Sequence, residues 1–206
     1  MLLLVQPRRD PRPRALRALT RLVLACLLLA PGARAAEDIS VEATRRDEGL
    51  EVVCRAMLDA PLDLIWQTLT DYNRLAEFIP GMRSSRMLEQ RAGVALVEQS
   101  GEAKFLFISV PIEVTLATTE RPPHSIEARM LKGNLKRLEG VYRIEPQGGG
   151  RTLLRWNGII EPGSGTPPLI GELLMRSAIE EQFRGMVREI ARRDLLRRAR
   201  DKGPAQ

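Results

Sequence analysis

The chain has 206 residues, with 32 basic and 26 acidic side chains and a formal net charge of +6 at pH 7. The positive excess lies in residues 1–35, which hold seven arginines and one acid, so the remainder carries 25 basic and 25 acidic side chains. Overall basicity therefore gives no support to nucleic-acid binding, and we expect no nucleic-acid partner. The 171 residues that follow suffice for one domain with a sizeable core.

Residues 1–35 have the pattern of a cleaved export signal. Several arginines precede the apolar run Leu22 to Ala30, and small residues precede Ala33-Arg34-Ala35. The apolar run is shorter than the roughly 20 residues of a membrane-spanning helix. We expect a cleaved signal at 1–35, a periplasmic or secreted domain at 36–199 and a disordered tail at 200–206. The alternatives are an anchor formed by an uncleaved N-terminal segment and a lipoprotein signal ending at Cys26.

The first predicted elements of the domain are strands followed by helical sequence. Ile39 to Arg46 and Leu50 to Leu58 are strand-like, which predicts a hairpin or one long bent strand. Cys54 shares the phase of the apolar residues around it, so we expect a buried, inert thiol. Apolar residues at helical spacing then predict a helix over Pro61 to Tyr72 and a second, shorter helix over Asp71 to Ile79.

Six further strands follow, separated by turn sequences. They are predicted at Arg83 to Gln90, Val94 to Gly101, Phe105 to Thr118, Ser125 to Leu131, Leu135 to Pro146 and Arg151 to Glu161. In the third of them, alternate residues from Leu106 to Leu116 are apolar, and Ser109 and Glu113 lie between them. This alternation predicts an antiparallel meander with one apolar face.

The last predicted element is a long helix from Pro168 to Ala199. One of its faces carries Met175, Ile179, Phe183, Met186 and Ile190. Its arginine-rich end is interpreted as a solvated helix terminus, with a surface for anionic headgroups or a protein partner as the alternative. The elements together predict an α+β fold. In it a curved antiparallel sheet of about six to seven strands wraps around the long C-terminal helix, with one or two short helices after the first strand.

A family resemblance rests on four stretches of sequence. They are Ala60-Pro61-Leu62-Asp63-Leu64-Ile65-Trp66, Leu69-Thr70-Asp71-Tyr72, Leu75-Ala76-Glu77-Phe78-Ile79-Pro80-Gly81-Met82 and Glu181-Gln182-Phe183. With them, the chain from about Val41 to Arg193 resembles the START-like (SRPBCC) superfamily, in its polyketide cyclase/dehydrase and coenzyme Q-binding START-domain branch. The resemblance implies a helix-grip fold around an apolar cavity. Because such proteins bind lipids, quinones, hormones or polyketides and only some are enzymes, it is specific for the fold and not for the function.

The sequence contains no recognisable constellation for metal binding or nucleophilic catalysis. His124, the single histidine, follows two prolines and has no carboxylate or cysteine at a motif spacing. We therefore predict no metal, no cofactor and no catalytic residue. Glutamates on the strands, such as Glu102 and Glu113, are expected to face solvent. One of them inside the cavity would have a raised pKa suited to proton transfer.

The predicted cavity lies between the sheet and the long helix. Its candidate ligand-binding residues are Phe78, Ile79, Val110, Met130, Leu138, Tyr142, Trp156, Met175, Ile179 and Phe183. Tyr142 and Trp156 would supply polar groups in an otherwise apolar space. A portal is predicted at Met82, Ile170 and Leu174.

These features lead to a primary functional hypothesis and two alternatives. The primary hypothesis is an exported, monomeric binder or carrier of a hydrophobic small molecule, such as a lipid, an isoprenoid quinone or a polyketide-like compound, with contact to a membrane surface as a further expectation. The first alternative is a cyclase or dehydratase-type enzyme that uses a cavity acid or Tyr142. The second is a protein-interaction module.

Overall fold

A computed structural model of the protein describes residues 39–46, 49–164 and 168–203. The predicted export signal at residues 1–35 and the last residues of the predicted tail lie outside this part of the chain. None of the helices in these ranges is both long enough and apolar enough to cross a membrane.

The described residues form eight strands, two α-helices and one 3₁₀ helix. They are β1 (Ser40–Arg46), β2 (Gly49–Leu58), α1 (Leu62–Leu69), the 3₁₀ helix (Tyr72–Glu77), β3 (Met82–Arg91), β4 (Val94–Phe105), β5 (Ile108–Arg121), β6 (Ser125–Gly133), β7 (Arg137–Gly148), β8 (Arg151–Glu161) and α2 (Pro168–Asp201). The long helix thus ends at Asp201, two residues beyond the predicted end.

The strands form one antiparallel sheet in the order β1-β2-β8-β7-β6-β5-β4-β3. Strands β3 to β8 are a continuous meander, and the β1–β2 hairpin joins its far edge through β8. This confirms the predicted helix-grip fold, with eight strands where six to seven were expected. One additional strand arises because the segment from Ser40 to Leu58 is a hairpin and not a single bent strand.

The two short helical elements after β2 confirm the prediction with shorter bounds. The Pro61 carbonyl accepts hydrogen bonds from the Leu64 and Ile65 amides and so begins α1. That helix buries Ile65 and Leu69. The second element is a 3₁₀ helix that ends at Glu77, before the predicted end at Ile79.

The core lies between the inner face of the sheet and α2. Alternate residues of β2, from Leu50 to Leu58, are at most 3% exposed, and Phe183, Val187 and Ile190 of α2 are at most 2% exposed. Cys54 lies in the same inward row of β2 and is fully buried, as its phase predicts. Helix α2 therefore lies across the apolar face of the sheet.

The hairpin between β4 and β5 differs from the prediction. Residues 102–104, predicted as a turn, continue β4 to Phe105, and the reversal occurs at Leu106 and Phe107. Leu106 therefore does not lie on the apolar face but at the tip of the hairpin, 82% exposed. The alternation from Ile108 to Leu116 is as predicted.

The arginine-rich end of α2 is paired with aspartates near α1 and the 3₁₀ helix. Arg193 contacts the Asp71 carboxylate at 2.8 Å, and Arg197 contacts Asp63 at 3.3 Å. Arg198 donates to the Asp59 carbonyl. Of the three, Arg197 and Arg198 are 41% and 55% exposed, as expected of a solvated helix terminus, whereas Arg193 is only 17% exposed. They hold α2 against the segment that follows β2.

Candidate ligand-binding cavity

Two adjoining chambers lie between α2 and the sheet. The larger has a volume of about 180 Å³ and the smaller about 100 Å³. Both are bordered by Met82, Gln99, Leu138, Ile160, Ile179 and Gln182. The larger chamber extends from these residues toward the 3₁₀ helix, where Tyr72 and Leu75 line it. The smaller extends along β4 toward Gly101 and Ala103.

A pair of glycines makes room for the larger chamber's aromatic wall. Gly140 on β7 and Gly158 on β8 are cross-strand partners in the sheet. A Cβ atom would come within 2.8 Å of the Trp156 ring at Gly140 and within 2.5 Å of it at Gly158. The indole therefore lies flat over two positions that have no side chain. This arrangement keeps the ring close to the sheet and leaves the space above it free.

Tyr142 and Trp156 form the polar part of this wall. Their ring centroids are 6.4 Å apart and their planes are inclined by 52°. Burial raises the pKa of the Tyr142 hydroxyl well above its ordinary value, so the hydroxyl stays protonated at neutral pH. Within the described part of the chain, neither this hydroxyl nor the Trp156 indole N–H has a hydrogen-bond partner. Both are thus available to a bound molecule.

Amide side chains add further neutral polar groups. The Gln182 amide of α2 borders both chambers and has no hydrogen-bond partner among the described residues. Gln99 of β4 donates to the Ser85 hydroxyl at 3.4 Å, a long contact. The Tyr72 hydroxyl, in contrast, is engaged by the Glu120 carboxylate at 2.8 Å. The described walls therefore present uncommitted hydrogen-bonding groups at Tyr142, Trp156 and Gln182.

Charged side chains are scarce along these walls. Among the described residues that line the larger chamber there is no Asp, Glu, His, Lys or Arg. Glu102 borders the smaller chamber, but its carboxylate bonds to Lys104, Ser109 and Arg83. Hydrogen bonds from Lys104 and then Ser109 lower the pKa of Glu102, so it is ionised at neutral pH. The described residues also contain no cluster suited to a metal ion.

Most of the ligand-binding residues predicted from the sequence meet at this cavity. The larger chamber is lined by Ile79, Leu138, Tyr142, Trp156, Ile179 and Phe183. Met175 lines the smaller one. Phe78, Val110 and Met130 border neither chamber and are half-buried against the core. Phe78 instead lies under the Arg193 guanidinium, 5.3 Å from its ring centroid.

The three predicted portal residues lie in different environments. Met82 borders both chambers. Ile170 is half-buried against the core. Leu174 is 0% exposed and belongs to the core, so the structure corrects its assignment to a portal. The physical reason is that β1 and β2 contact α2, so the side of the helix opposite Phe183 is enclosed by the sheet near its beginning.

Several wall residues were missed by sequence reasoning. Gln99, Thr118 and Gln182 are polar residues on inward faces, where periodicity predicts apolar ones. The signal that could have located the wall is the glycine pair, because a glycine inside a strand often marks a close approach. Gly140 and Gly158 each fall two residues from an aromatic residue, Tyr142 and Trp156.

The segment that covers the larger chamber is fixed to α2 at both ends. Arg193 bonds to Asp71 at 2.8 Å and to Glu189 at 2.7 Å, with Glu189 only 6% exposed. At the other end, the Pro80 ring packs so closely on Gly185 that a Cβ atom there would clash. Helix α2 therefore holds the 3₁₀ helix and the residues after it over the cavity.

A curved sheet, a long helix across it and an apolar cavity between them define a helix-grip domain. The family model described as polyketide cyclase / dehydrase and lipid transport matches residues 58–189, more than half of the chain, and the protein belongs to this family. The resemblance to the polyketide cyclase/dehydrase branch of the START-like superfamily is thereby confirmed. No curated protein matches the chain.

Solved structures with the same fold come from several bacteria. The STAR-related lipid transfer protein (fragment 25–204) from Xanthomonas axonopodis has a TM-score of 0.63 and 13% identity, over 77% of this chain and 97% of that one. The Zhui aromatase/cyclase from Streptomyces sp. R1128 has a TM-score of 0.58 and 19% identity, over 69% and 94%. A START superfamily protein from Mycobacterium smegmatis has a TM-score of 0.57 and 16% identity, over 69% and 97%. At these identities the similarity shows the fold alone.

Proposed function

We propose that the protein binds and carries a neutral hydrophobic small molecule, a lipid or an isoprenoid quinone, in the cavity between the sheet and α2. The observation that carries this proposal is the set of uncommitted polar groups at Tyr142, Trp156 and Gln182 in an otherwise apolar chamber. All three side chains are half-buried and line the chamber, so their polar groups are open to it. A ligand oxygen can bond to these groups in place of water while the ligand's apolar surface is buried against the rest of the wall.

The dimensions of the cavity favour a ring-sized group in the larger chamber. A cavity of about 150 Å³ holds a benzene molecule, and the larger chamber has about 180 Å³. The smaller chamber, which continues from it along β4, suits an attached chain. Burial of the ligand's apolar surface would contribute about 25 cal/mol per Å² removed from water. A charged headgroup would have no counter-ion in the larger chamber and would remain outside.

The two alternatives have less support. A cyclase or dehydratase would need a carboxylate within reach of Tyr142, and the described lining of the larger chamber contains none. The raised pKa of Tyr142 makes this residue a hydrogen-bond donor at neutral pH and a poor base. A protein-interaction module would have a filled core and no need of a cavity with uncommitted polar groups.

The proposal includes export of the protein. Its support is the arginine-rich, apolar and small-residue pattern of residues 1–35, with removal of this segment before the domain acts in the periplasm or outside the cell. The mass of the protein recovered from its native compartment tests this part. If the recovered chain retains residues 1–35, the protein is anchored through that segment and not released.

Thermal unfolding in the presence of candidate ligands tests the binding proposal. Ubiquinone or menaquinone analogues and neutral lipids should raise the midpoint in a concentration-dependent manner, because a ligand that binds only the folded state stabilises it. Fatty acids in their ionised form should raise it less. A midpoint that none of these compounds changes would contradict the proposal.

A further inference from the structure

Four arginines form a row across the outer face of the sheet, the face turned away from α2. In the strand register, Arg55 of β2 lies opposite Arg155 of β8, which lies opposite Arg143 of β7. The row continues through Ser125 of β6 to Arg121 of β5. Side chains alternate along a strand and these positions lie between inward-facing ones, so all four arginines project from the outer face. This set, the arginine row, crosses five adjacent strands and is about 19 Å long at roughly 4.8 Å per strand.

The arginine row places like charges next to one another. Arg155 has an arginine opposite it on both neighbouring strands, and like charges in directly opposite positions destabilise a sheet. Arg55 is bonded to Glu42 at 2.7 Å. Among the residues that the structure describes, Arg121, Arg143 and Arg155 form no ion pair. Contacts within the domain therefore do not explain why three cations share this row.

Two polar atoms at the centre of the row are enclosed and have no partner. They are Nε of Arg155 and Oδ1 of Asn157, which lies two residues further along the same face of β8. Neither atom makes a hydrogen bond within residues 39–46, 49–164 and 168–203. An enclosed polar atom without a hydrogen bond costs free energy. A carboxylate that binds a guanidinium through two parallel hydrogen bonds can use this N–H, so an external anion would offset both the charge repulsion and the unpartnered donor.

The positions on both sides of the row carry apolar side chains. On one side, Val53 and Val141 lie opposite Asn157. On the other side, Leu153 lies opposite Met57. All four apolar residues are half-buried. Arginine and methionine among apolar side chains are typical of the contact surfaces between proteins, whereas a free phosphate or a nucleic-acid backbone would leave the apolar side chains without a partner.

Charge and spacing also favour a protein segment. Glu127 of β6 and Glu145 of β7 lie on the outer face, each two residues from the row, and neither forms an ion pair in the described part of the chain. They would repel a uniform polyanion, but a protein segment can place its acidic side chains between them. Successive turns of a helix are about 5.4 Å apart, close to the roughly 4.8 Å between strands. A helix laid across the strands can therefore present one carboxylate to each arginine in turn.

We propose that the arginine row binds an acidic helical segment of a partner protein on the outer face of the sheet. Arg55, Arg155, Arg143 and Arg121 supply charge-assisted hydrogen bonds, and the flanking apolar side chains supply the buried contact. This inference goes beyond the proposed function and does not rest on it. The two chambers lie on the opposite face of the sheet, so the domain can hold a small molecule and the partner at the same time.

Fluorescence anisotropy with a labelled synthetic helix and the full chain tests this proposal. The probe is a peptide of about four turns with Glu at every third or fourth position and Leu beside each Glu, and its counterpart has Gln in place of Glu. The parent should bind the Glu peptide and not the Gln peptide, with an affinity that falls as salt rises. Arg155→Gln should weaken binding about tenfold and Arg121→Gln about threefold. Arg176→Gln, at an exposed position of α2, is the matched control and should bind like the parent.

The stability of Arg155→Gln separates binding from a structural role. Without peptide, its thermal midpoint should be the same as that of the parent or higher, because the change removes two like-charge neighbours and the unpartnered N–H. If the arginine only supported the sheet, the midpoint would fall and the affinity for the peptide would not change. That result would contradict the proposal.

Competition experiments distinguish the other anionic partners. Loss of peptide binding in inorganic phosphate, but not in chloride of equal ionic strength, would identify a small-anion site and overturn the proposal. Stronger binding to a DNA duplex or to phosphatidylglycerol vesicles than to the peptide would overturn it as well. So would a parent chain that does not bind the peptide, or equal losses in Arg155→Gln and Arg176→Gln. Stabilisation by lipids or quinones should be the same in the parent and in all these variants, so the proposed function is tested separately.

Discussion

The indole ring of Trp156 lies over Gly158, where a Cβ atom would come within 2.5 Å of the ring. Trp156 reaches this place because it and Gly158 share the inward face of β8, two residues apart. The ring stays close to the sheet only while its neighbour has no side chain. The volume of the larger chamber above the ring therefore depends on the missing methyl group at Gly158, as it does on the one at Gly140.

Gly158→Ala should move the indole into the chamber and press on the backbone of β7, because the new Cβ atom would also lie 2.6 Å from the Glu139 carbonyl oxygen. We expect loss of most ligand affinity and a change in Trp156 fluorescence, together with destabilisation of about 1 to 3 kcal/mol from overpacking. Ligand titration and urea denaturation measure the two effects. Gly149→Ala is the control. A Cβ atom at this position would meet nothing within 4 Å, but the residue has a φ of +61°, which disfavours alanine. It should lower stability by about 1 kcal/mol and leave affinity unchanged. Equal affinity in both variants would contradict the role of the glycine.

Tyr142→Phe removes the hydroxyl that has no partner in the described part of the chain. Affinity for ligands with a carbonyl or hydroxyl should fall about fivefold, equivalent to about 1 kcal/mol for one hydrogen bond. Stability without ligand should be unchanged or slightly higher. Tyr72→Phe removes a hydroxyl already bound to Glu120 and should lower stability rather than affinity. Isothermal titration of both variants distinguishes them, and an unchanged affinity in Tyr142→Phe would remove this residue from the binding site.

Arg193→Met removes the link between α2 and the segment that covers the larger chamber, which is the 3₁₀ helix and the residues after it up to Pro80. The guanidinium is 17% exposed and bonds to both Asp71 and Glu189, so its loss should destabilise the protein by about 2 kcal/mol. Faster hydrogen exchange should appear first in the 3₁₀ helix. Arg188→Met, at an exposed position of the same helix, is the control and should have little effect. Equal hydrogen-exchange rates in both variants would show that the 3₁₀ helix is held over the chamber by packing alone.

Leu174 and Leu173 provide a direct test of the corrected portal assignment. Leu174 is 0% exposed and Leu173 is 39% exposed. Leu174→Ala should cost about 3 kcal/mol, as for a buried leucine whose cavity does not collapse. Leu173→Ala should cost about 0.5 kcal/mol or less. Chemical denaturation of the two variants gives the comparison, and similar losses would place Leu174 near the surface.

Stability should fall in alkali partly through Cys54. Burial, followed by the negative charge of Glu180, raises the pKa of this thiol from 9.0 to about 12. A group with a raised pKa stabilises the fold fully below its unfolded pKa and loses that contribution as pH rises through the folded value. The loss should therefore begin near pH 9 and continue toward pH 12. Between pH 9 and about 10, before unfolded tyrosines titrate, the denaturation midpoint of Cys54→Ala should fall less steeply than that of the parent. Parallel curves would show that the thiol is not buried in solution.

Periodicity and turn sequences were enough to predict the sheet, the long helix and most of the cavity wall. Leu138, Tyr142 and Trp156 could be assigned to one inward face because strand residues alternate. The tip at Leu106 could not, because alternation continued through it and only the turn geometry breaks the pattern. Leu174 was misplaced for a related reason: a helical wheel shows which residues share a side but not whether a second layer covers that side.

Hydrophobic periodicity could not identify the polar residues of the cavity wall, for a different reason. Gln99 and Gln182 have no apolar signature, and their inward position depends on which faces meet in three dimensions. The pairing of Arg193 with Asp71 spans 122 residues of sequence and likewise follows from the fold alone. Sequence reasoning therefore located the apolar frame of the site and missed its hydrogen-bonding groups.

Native mass spectrometry of the purified full chain is the most direct test of ligand binding in the cavity. We expect a fraction of the protein with one neutral hydrophobic molecule bound, identified by extraction as a lipid or an isoprenoid quinone, and loss of that fraction in Gly158→Ala. Gly149→Ala should retain it. A folded parent protein that carries no small molecule and takes up none from added lipids or quinones would contradict ligand binding.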